Sequence, residues 1–284
     1  MARRRKRGLL GQLARSSRIG LIFVVVISGL WYWQEGDVRD QLSWMGVPEW
    51  QWNDWRGWNR VLRNDGFLLG WSDVRGGPLW VGYVLNRVDD PHSLPRPDRF
   101  DSDWRSLWPI SSNDYTGSGY DRGHMAPNYA MAVAHGRAAQ LDSFLMTNIT
   151  PQRPRLNRQL WQRLEEAVID DFVPRFGRVW VVTGPIYDDQ LLHRVGFSQI
   201  PVGFYKILIA PGTTPRALAF LMPQDVNGNE PLARFLVTID EIEARTGLDF
   251  FPQLADPVER QLEGRVDKDG WGLEAVSTRP GRYQ

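Results

Sequence analysis

The sequence of 284 residues contains no cysteine. Disulfides, thiolate nucleophiles and cysteine-based zinc sites are therefore excluded for this chain. Its four histidines include no H-x-x-x-H pair or other metal-pair spacing, which argues against a multi-histidine zinc site. The chain also lacks G-x-S-x-G, a glycine-rich phosphate loop with lysine, and G-x-G-x-x-G before a helix. The absence of these motifs argues against the common hydrolase, nucleotide-triphosphatase and dehydrogenase classes.

An excess of basic residues is missing from most of the chain. The net charge is +1, but residues 1–34 contain seven basic residues and no acid. The rest holds 27 basic against 33 acidic residues, a net charge of −6. Proteins that bind nucleic acid usually present a basic surface. Any polyanion site here must therefore be local, built from a few arginines and a metal ion.

The basic N-terminus is followed by fifteen uncharged, mostly apolar residues at 19–33. This order predicts a basic cytoplasmic tail at 1–18 and a transmembrane signal anchor at 19–33, through which the chain contacts a membrane. The positive-inside rule then places the rest outside the cytoplasm, on the periplasmic or outer face of a bacterium. A cleaved secretory signal and a mitochondrial presequence are the alternatives. The first would need small residues after the apolar run, and the second an amphipathic helix.

Beyond the anchor, 34–62 is a tryptophan-rich connector, 63–255 a folded domain and 256–284 a C-terminal extension. Short apolar segments predict strands at 67–71, 78–86, 119–121, 143–148, 178–183, 202–210 and 217–222. Helices are predicted at 129–141, 156–172 and 238–246. Residues 88–118, rich in Asp, Pro and Ser, predict a long functional loop. The mixed order predicts an α+β fold with antiparallel connections.

One run places an acid, a guanidinium and an imidazole within four residues: Asp121, Arg122, Gly123 and His124. An imidazole beside a carboxylate is a natural general base, because its pKa lies near neutrality and the acid can orient it. Gly123 permits a turn conformation that other residues resist. The alternative is an ordinary surface turn with a chance salt bridge.

A second pattern lies on the predicted helix, where Asn157, Trp161 and Glu165 are spaced by four and form one stripe. Eight helical residues rise about 12 Å, so one ion cannot easily take both ends of the stripe as direct ligands. Direct coordination by Asn157, with Glu165 acting through water, suits Mg²⁺, which retains much of its hydration shell. The alternative is an amphipathic helix with polar residues at its border.

Taken together, these motifs resemble those of one family. The run 118–124 is followed by Asn148-Ile149-Thr150-Pro151-Gln152, then by Leu156-Asn157, Leu164-Glu165 and Thr183-Gly184-Pro185-Ile186. This order is similar to that of the DNA/RNA non-specific endonucleases of the ββα-metal superfamily, over roughly residues 64–255. The resemblance implies the ββα-metal (His-Me finger) nuclease fold. In that fold a central antiparallel sheet is flanked by helices, here preceded by the one N-terminal transmembrane helix.

The resemblance also assigns roles to individual residues. His124 would be the general base that deprotonates the attacking water. Asn157 would be the direct protein ligand of Mg²⁺, for which Mn²⁺ is a substitute, and Glu165 would hold the ion through water. Asp121 and Asn148 would shape the site around the imidazole and backbone.

Two arginines complete the implied site. Arg122 would lie near the phosphate, and an upstream arginine is also expected. Arg96 is the preferred candidate for it and Arg99 the second.

The resemblance implies hydrolysis of DNA and RNA with little sequence preference, because every assigned group addresses phosphate or metal and none reads base edges. Two alternatives remain: a non-catalytic nucleic-acid-binding protein, and a membrane-proximal phosphodiesterase for small substrates. A homodimer is one oligomeric state that the sequence leaves open.

Overall fold

The computed structural model describes residues 9–52, 54–190 and 192–281, with the side chains of 9–19 and 30–35 left aside. The chain forms two units, 1–41 and 42–284. In the first, helix α1 (Leu9–Leu42) contains 34 residues. The predicted basic tail lies outside the described residues over 1–8.

The predicted transmembrane span at 19–33 is not supported. Within the part of the chain that the structure describes, no helix is long and apolar enough to cross a membrane. The fifteen apolar residues would rise about 22 Å as a helix, against a hydrocarbon core of about 30 Å. The extracytoplasmic location stays a prediction.

The second unit is built from strands and helices in mixed order. Its strands are β1 (Glu49–Trp50), β2 (Arg60–Asn64), β3 (Phe67–Ser72), β4 (Gly77–Asn86), β5 (Asp121–His124), β6 (Ile149–Gln152), β7 (Arg178–Ile186), β8 (Arg194–Val195), β9 (Ser198–Gln199), β10 (Gly203–Ala210), β11 (Arg216–Pro223), β12 (Leu236–Val237) and β13 (Leu248–Asp249). Its helices are α2 (Asn128–His135), α3 (Arg137–Asp142), α4 (Gln162–Ala167), α5 (Val173–Phe176), α6 (Ile239–Thr246), α7 (Asp256–Glu263) and α8 (Leu273–Ser277).

Seven strands form a central antiparallel sheet in the order β12-β11-β10-β7-β4-β3-β2. Strands β3 and β10 are buried at every position, as is typical of strands covered on both faces. Their near-continuous apolar sequences explain why the pattern predicted them. The α+β class and the central antiparallel sheet are confirmed.

The helical segment 156–176 packs on this sheet. Its leucines at 156, 160 and 164 are fully buried and share one core with strand residues such as Val181 and Leu208. Two π-helical stretches, Leu156–Trp161 and Val168–Phe172, flank α4. The helix predicted at 156–172 extends four residues further, because Pro174 lies in the first turn of α5, where proline is tolerated. The segment ends at Gly177, which has a φ of 74°.

Three other predicted elements have different bounds. The strand predicted at 119–121 is β5, which begins two residues later and ends three residues later. Residues 143–148 are not a strand, because the chain forms a 3-10 turn at Met146–Asn148 before β6 begins. The helix predicted at 129–141 is interrupted at Gly136, whose φ of 87° is incompatible with helix.

The division of the chain at residues 63 and 255 stays a prediction, and residues 42–284 form one compact unit. The connector supplies β2 to the central sheet and β1, which pairs with β13. The C-terminal extension supplies Trp271, which is fully buried between Phe172 and Phe176 at ring-centroid distances of 5.3 and 4.7 Å. These parts are short or lack periodicity, so the sequence pattern gave no signal for them.

Candidate active site

The sequence-predicted residues lie on a small hairpin followed by a helix. Strands β5 and β6 pair antiparallel, with Asp121 opposite Gln152 and His124 opposite Ile149. The helical segment 156–176 starts four residues after β6 ends. This ββα arrangement brings the catalytic run and the helical stripe to one place, although they are more than 30 residues apart in the chain.

Close packing around β5 fixes the position of the imidazole. Side chains alternate along a strand, so Arg122 and His124 share one face. A Cβ on Gly123 would lie 2.1 Å from the side-chain oxygen of buried Gln152. Glycine is therefore needed here for close approach rather than for a left-handed turn, because its φ is not positive. This corrects the reason inferred from the sequence.

His124 lies in an aromatic environment. Its ring centroid is 5.4 Å from that of Phe100 and 4.8 Å from that of Phe144, the latter in an edge-on arrangement. Nε2 is buried and has no hydrogen-bond partner among the described atoms. Burial, with a smaller contribution from the positive charge of Arg96, lowers the pKa of His124 to about 3. The imidazole therefore stays neutral at neutral pH, the state that a general base requires.

Asn148 fixes the backbone next to the imidazole. Its side chain is fully buried, and its amide nitrogen donates to the carbonyl oxygens of Ala126 and Ser143 at 3.0 and 2.9 Å. Its side-chain oxygen accepts from the Ala126 N–H at 2.9 Å, and its own carbonyl accepts from the Met125 N–H at 3.0 Å. All the described side-chain hydrogen bonds of Asn148 are thus made to backbone groups.

Asp121 lies behind the site, where it holds Asn157. Its carboxylate accepts a hydrogen bond from the Asn157 amide nitrogen at 3.0 Å and two from the Arg158 guanidinium at 2.7 and 2.6 Å. Burial acts to raise the pKa of Asp121, but these hydrogen bonds outweigh it and the pKa falls below its usual range. We expected the Asp121 carboxylate to orient the imidazole of His124. Among the described contacts of Asp121 there is none with His124.

A lysine that the sequence analysis missed lies beside Glu165. The Lys206 ammonium is 1% exposed, 3.7 Å from Glu165 Oε1 and 4.6 Å from the centroid of the Trp161 ring. Burial raises the pKa of Glu165, which the ammonium partly offsets, and burial lowers the pKa of Lys206. The chain has three lysines, and this one interrupts an otherwise apolar strand. That interruption was the signal that could have revealed it.

The two upstream arginines differ in position. Arg96 lies with its guanidinium 4.9 Å from the Phe144 ring centroid and lines the same cavity as His124. Arg99 is exposed and pairs with Asp101 at 3.0 Å, outside that cavity lining. Arg96 is therefore the one that the structure brings to the site.

Arg122 is held by the loop that precedes β5. Its Nε donates to the Ser112 hydroxyl at 2.7 Å, and a terminal nitrogen donates to the Thr116 hydroxyl at 3.1 Å. It lies over the rings of Phe100 and Tyr115. Because the Arg122 side chain is already held in place, it would lose little conformational entropy on binding a phosphate.

These side chains converge on one open cavity of about 680 Å³. Five of the predicted residues line it: Arg96, Arg122, His124, Asn157 and Glu165. Three do not: Arg99, Asp121 and Asn148. Arg158 adds a third guanidinium to the wall. The lining thus carries three guanidinium groups and the two carboxylates of Glu165 and Glu166, in a chain whose net charge beyond residue 34 is −6.

The residues present suit a hard cation. Asn157 offers an amide oxygen, because its nitrogen is engaged by Asp121. Glu165 Oε1 is buried without a hydrogen-bond partner among the described atoms, although the Lys206 ammonium lies 3.7 Å away. Oxygen donors of this kind are those that Mg²⁺ prefers, and the unsatisfied carboxylate oxygen would gain a partner from the hydration shell of such an ion.

The fold and site together define a ββα nuclease, and comparison with known proteins gives its family. Residues 53–257 match the profile of the DNA/RNA non-specific endonucleases, and the chain belongs to this family.

Relatives are found in bacteria and animals. The chain is 29% identical over 226 residues to a nuclease of Nostoc sp., covering 74% of this chain and 79% of that protein. It is 30% identical over 209 residues to the human mitochondrial nuclease EXOG, covering 66% of this chain and 55% of the relative. EndoG in the crystal structure of the EndoG/EndoGI complex superposes with a TM-score of 0.63 at 25% identity, over 73% of this chain and 90% of that one. The expected family and the nuclease fold with its central antiparallel sheet are confirmed, whereas the expected transmembrane helix is not.

Proposed function

We propose that the protein is a Mg²⁺-dependent endonuclease that hydrolyses phosphodiester bonds in DNA and RNA with little sequence preference. Mn²⁺ is expected to substitute for Mg²⁺. The observation that carries the proposal is the cavity itself, which combines a neutral imidazole, a candidate cation site and fixed guanidinium groups. Residues that lie far apart in the sequence supply these parts.

Each group has a distinct task in the hydrolysis. His124 accepts a proton from the attacking water, since it lines the cavity and its base form predominates at neutral pH. Arg96 and Arg122 neutralise the phosphate oxygens as charge builds up on phosphorus. Asn157 and Glu165 would hold the cation, which would supply Lewis-acid charge at the same phosphate. As the water oxygen bonds to phosphorus the P–O3′ bond breaks, and the departing oxygen takes a proton from water.

The lack of sequence preference has a structural basis in this cavity. Its guanidinium groups address phosphate, and phosphate carries no sequence information. Trp161, the one aromatic residue of the helical stripe, is 1% exposed and packs beneath Lys206, so it is not available to stack on a base.

Nicking of supercoiled plasmid tests the proposal directly. We expect the purified full-length chain to convert plasmid and long RNA to fragments in Mg²⁺ or Mn²⁺, and to do neither in EDTA. Small phosphodiesters should be cleaved far more slowly, because they reach only part of the arginine set. Binding without cleavage would favour the non-catalytic alternative. Efficient cleavage of small diesters alone would favour the membrane-proximal phosphodiesterase.

The depressed pKa of His124 gives a second prediction. Its folded value of about 3 lies below the usual one, so the imidazole should not titrate between pH 8 and pH 5. Arg96→Gln removes the charge repulsion and leaves burial, so the midpoint should rise but stay below that of a free histidine. NMR of selectively labelled histidine in EDTA measures this shift. Arg99→Gln, outside the cavity, is the matched control, and equal midpoints in both variants would refute the assignment.

A further inference from the structure

A second group of carboxylates lies away from the active site, where α6, α7 and β13 meet. Asp240 and Glu243 come from α6 and Glu263 from the last turn of α7. One carboxylate oxygen from each of the three lies within 4.8 Å of the others. None of these residues lines the cavity around His124.

Buried oxygens without partners distinguish this group from an ordinary acidic surface. Glu263 is 3% exposed, and its Oε1 has no hydrogen-bond partner among the described atoms. Asp249, on β13 beside the group, likewise has a buried Oδ1 without a partner. Glu243 is partly satisfied, because one of its carboxylate oxygens accepts from the Phe250 N–H at 3.0 Å. A buried acceptor without a hydrogen bond lowers the stability of the fold by about 1–3 kcal/mol. The two unpaired oxygens of Glu263 and Asp249 therefore indicate a binding partner for this group.

The electrostatics of the group point to a cation as that partner. Burial, together with the negative charges of Glu243 and Glu259, raises the pKa of Glu263 to about 9. Burial likewise raises the pKa of Glu243 to about 7, against the hydrogen bond from Phe250. Glu263 also lies at the C-terminal end of its helix, where the helix dipole disfavours a negative charge. Each of these effects would be relieved by a nearby positive charge.

We propose that Asp240, Glu243 and Glu263 form a Ca²⁺ site, with Asp249 at its border, that is separate from the nuclease centre. All the donors are carboxylate oxygens, the ligands of a hard cation, and the three residues offer no imidazole or thiolate for zinc. Ca²⁺ accepts several carboxylate ligands in flexible geometry, whereas Mg²⁺ demands a near-ideal octahedron and usually keeps several of its waters. A site that offers three carboxylates from two helices therefore favours Ca²⁺.

The position of the site gives it a structural effect. β13 pairs with β1 of the connector, and the Gln51 N–H donates to the Gly247 carbonyl at 2.9 Å. An ion shared by α6 and α7 would therefore join the C-terminal helices to the strand that holds the connector. Since the ion would bind the folded chain and not the unfolded one, it would raise the thermal stability of the whole unit.

Thermal unfolding of the full-length chain with Mg²⁺ saturating in every sample tests this proposal. Adding Ca²⁺ to about 100 times its Kd should raise the Tm by roughly 5–10 °C. Calorimetric titration in two buffers of different ionisation enthalpy should show proton release on binding, because raised carboxyl pKa values mean that protons must leave. A Tm unchanged by Ca²⁺ overturns the proposal.

Glu263→Gln separates cation binding from a shared proton. The amide copies the protonated carboxyl, so this variant should fold with a Tm close to that of the parent in the absence of Ca²⁺. It should lose the Ca²⁺-induced shift while retaining nuclease activity. Glu241→Gln, on the same helix but paired with Arg245, removes equal charge outside the group and should keep the shift. A Ca²⁺ response retained in Glu263→Gln would contradict the site.

Discussion

Replacing His124 by alanine should reduce the rate of phosphodiester hydrolysis by about 10³- to 10⁴-fold, the upper part of the range for loss of a general base. A large effect is expected because the described part of the cavity lining contains no second histidine that could act as the base. Arg96 and Arg122 remain in place, so the affinity for DNA should change little. Plasmid-nicking rates and the Kd for a DNA duplex, measured on the same preparations, give the two halves of this prediction.

A fold defect in this variant must be distinguished from a chemical one. The imidazole packs against Phe100 and Phe144, so its removal leaves a small cavity and should lower the Tm slightly. His92→Ala is the matched control, since this exposed histidine bonds within its own loop to the Asp90 carbonyl. That control should retain full activity. Equal rates for the His124 variant and the parent would disprove the proposed mechanism.

The fold was predictable where burial imposes a regular pattern. The strands β3, β4, β7 and β10 are nearly continuous apolar runs, and the helical segment 156–176 carries leucines at spacing four. The connector and the C-terminal extension lacked such a pattern. Trp271 reaches the core through three-dimensional packing against Phe172 and Phe176, and no local sequence rule detects that contact.

The site was predictable in its composition but not in its contacts. His124, Asn157 and Glu165 do share one cavity, as the spaced motifs indicated. Asp121, by contrast, was expected beside the imidazole because it is three residues away. Alternation along β5 turns it to the opposite face, where it meets Asn157 instead. Lys206 comes from a distant strand, so only the assembled sheet reveals that it balances Glu165.

That contact between Asp121 and Asn157 makes Asn157 the second position where a large effect is expected. Asn157→Ala removes the candidate metal ligand and leaves Asp121 paired with Arg158 alone. Changes to groups that merely support a metal ligand typically lower metal affinity or activity by 10- to 100-fold. Loss of the ligand itself should therefore cost at least roughly 100-fold in rate at low Mg²⁺, with partial recovery as Mg²⁺ is raised.

The dependence of the nicking rate on Mg²⁺ concentration measures this effect and separates it from that at His124. Asn157→Ala should raise the Mg²⁺ concentration for half-maximal rate, whereas His124→Ala should lower the maximal rate at an unchanged half-saturation concentration. Asn59→Ala, an amide that bonds only to the nearby Gly57 carbonyl among its described contacts, is the control and should alter neither quantity. If Asn157→Ala left the half-saturation concentration unchanged, Asn157 would not be a metal ligand, and its bond to Asp121 would serve only to fix the helix against β5.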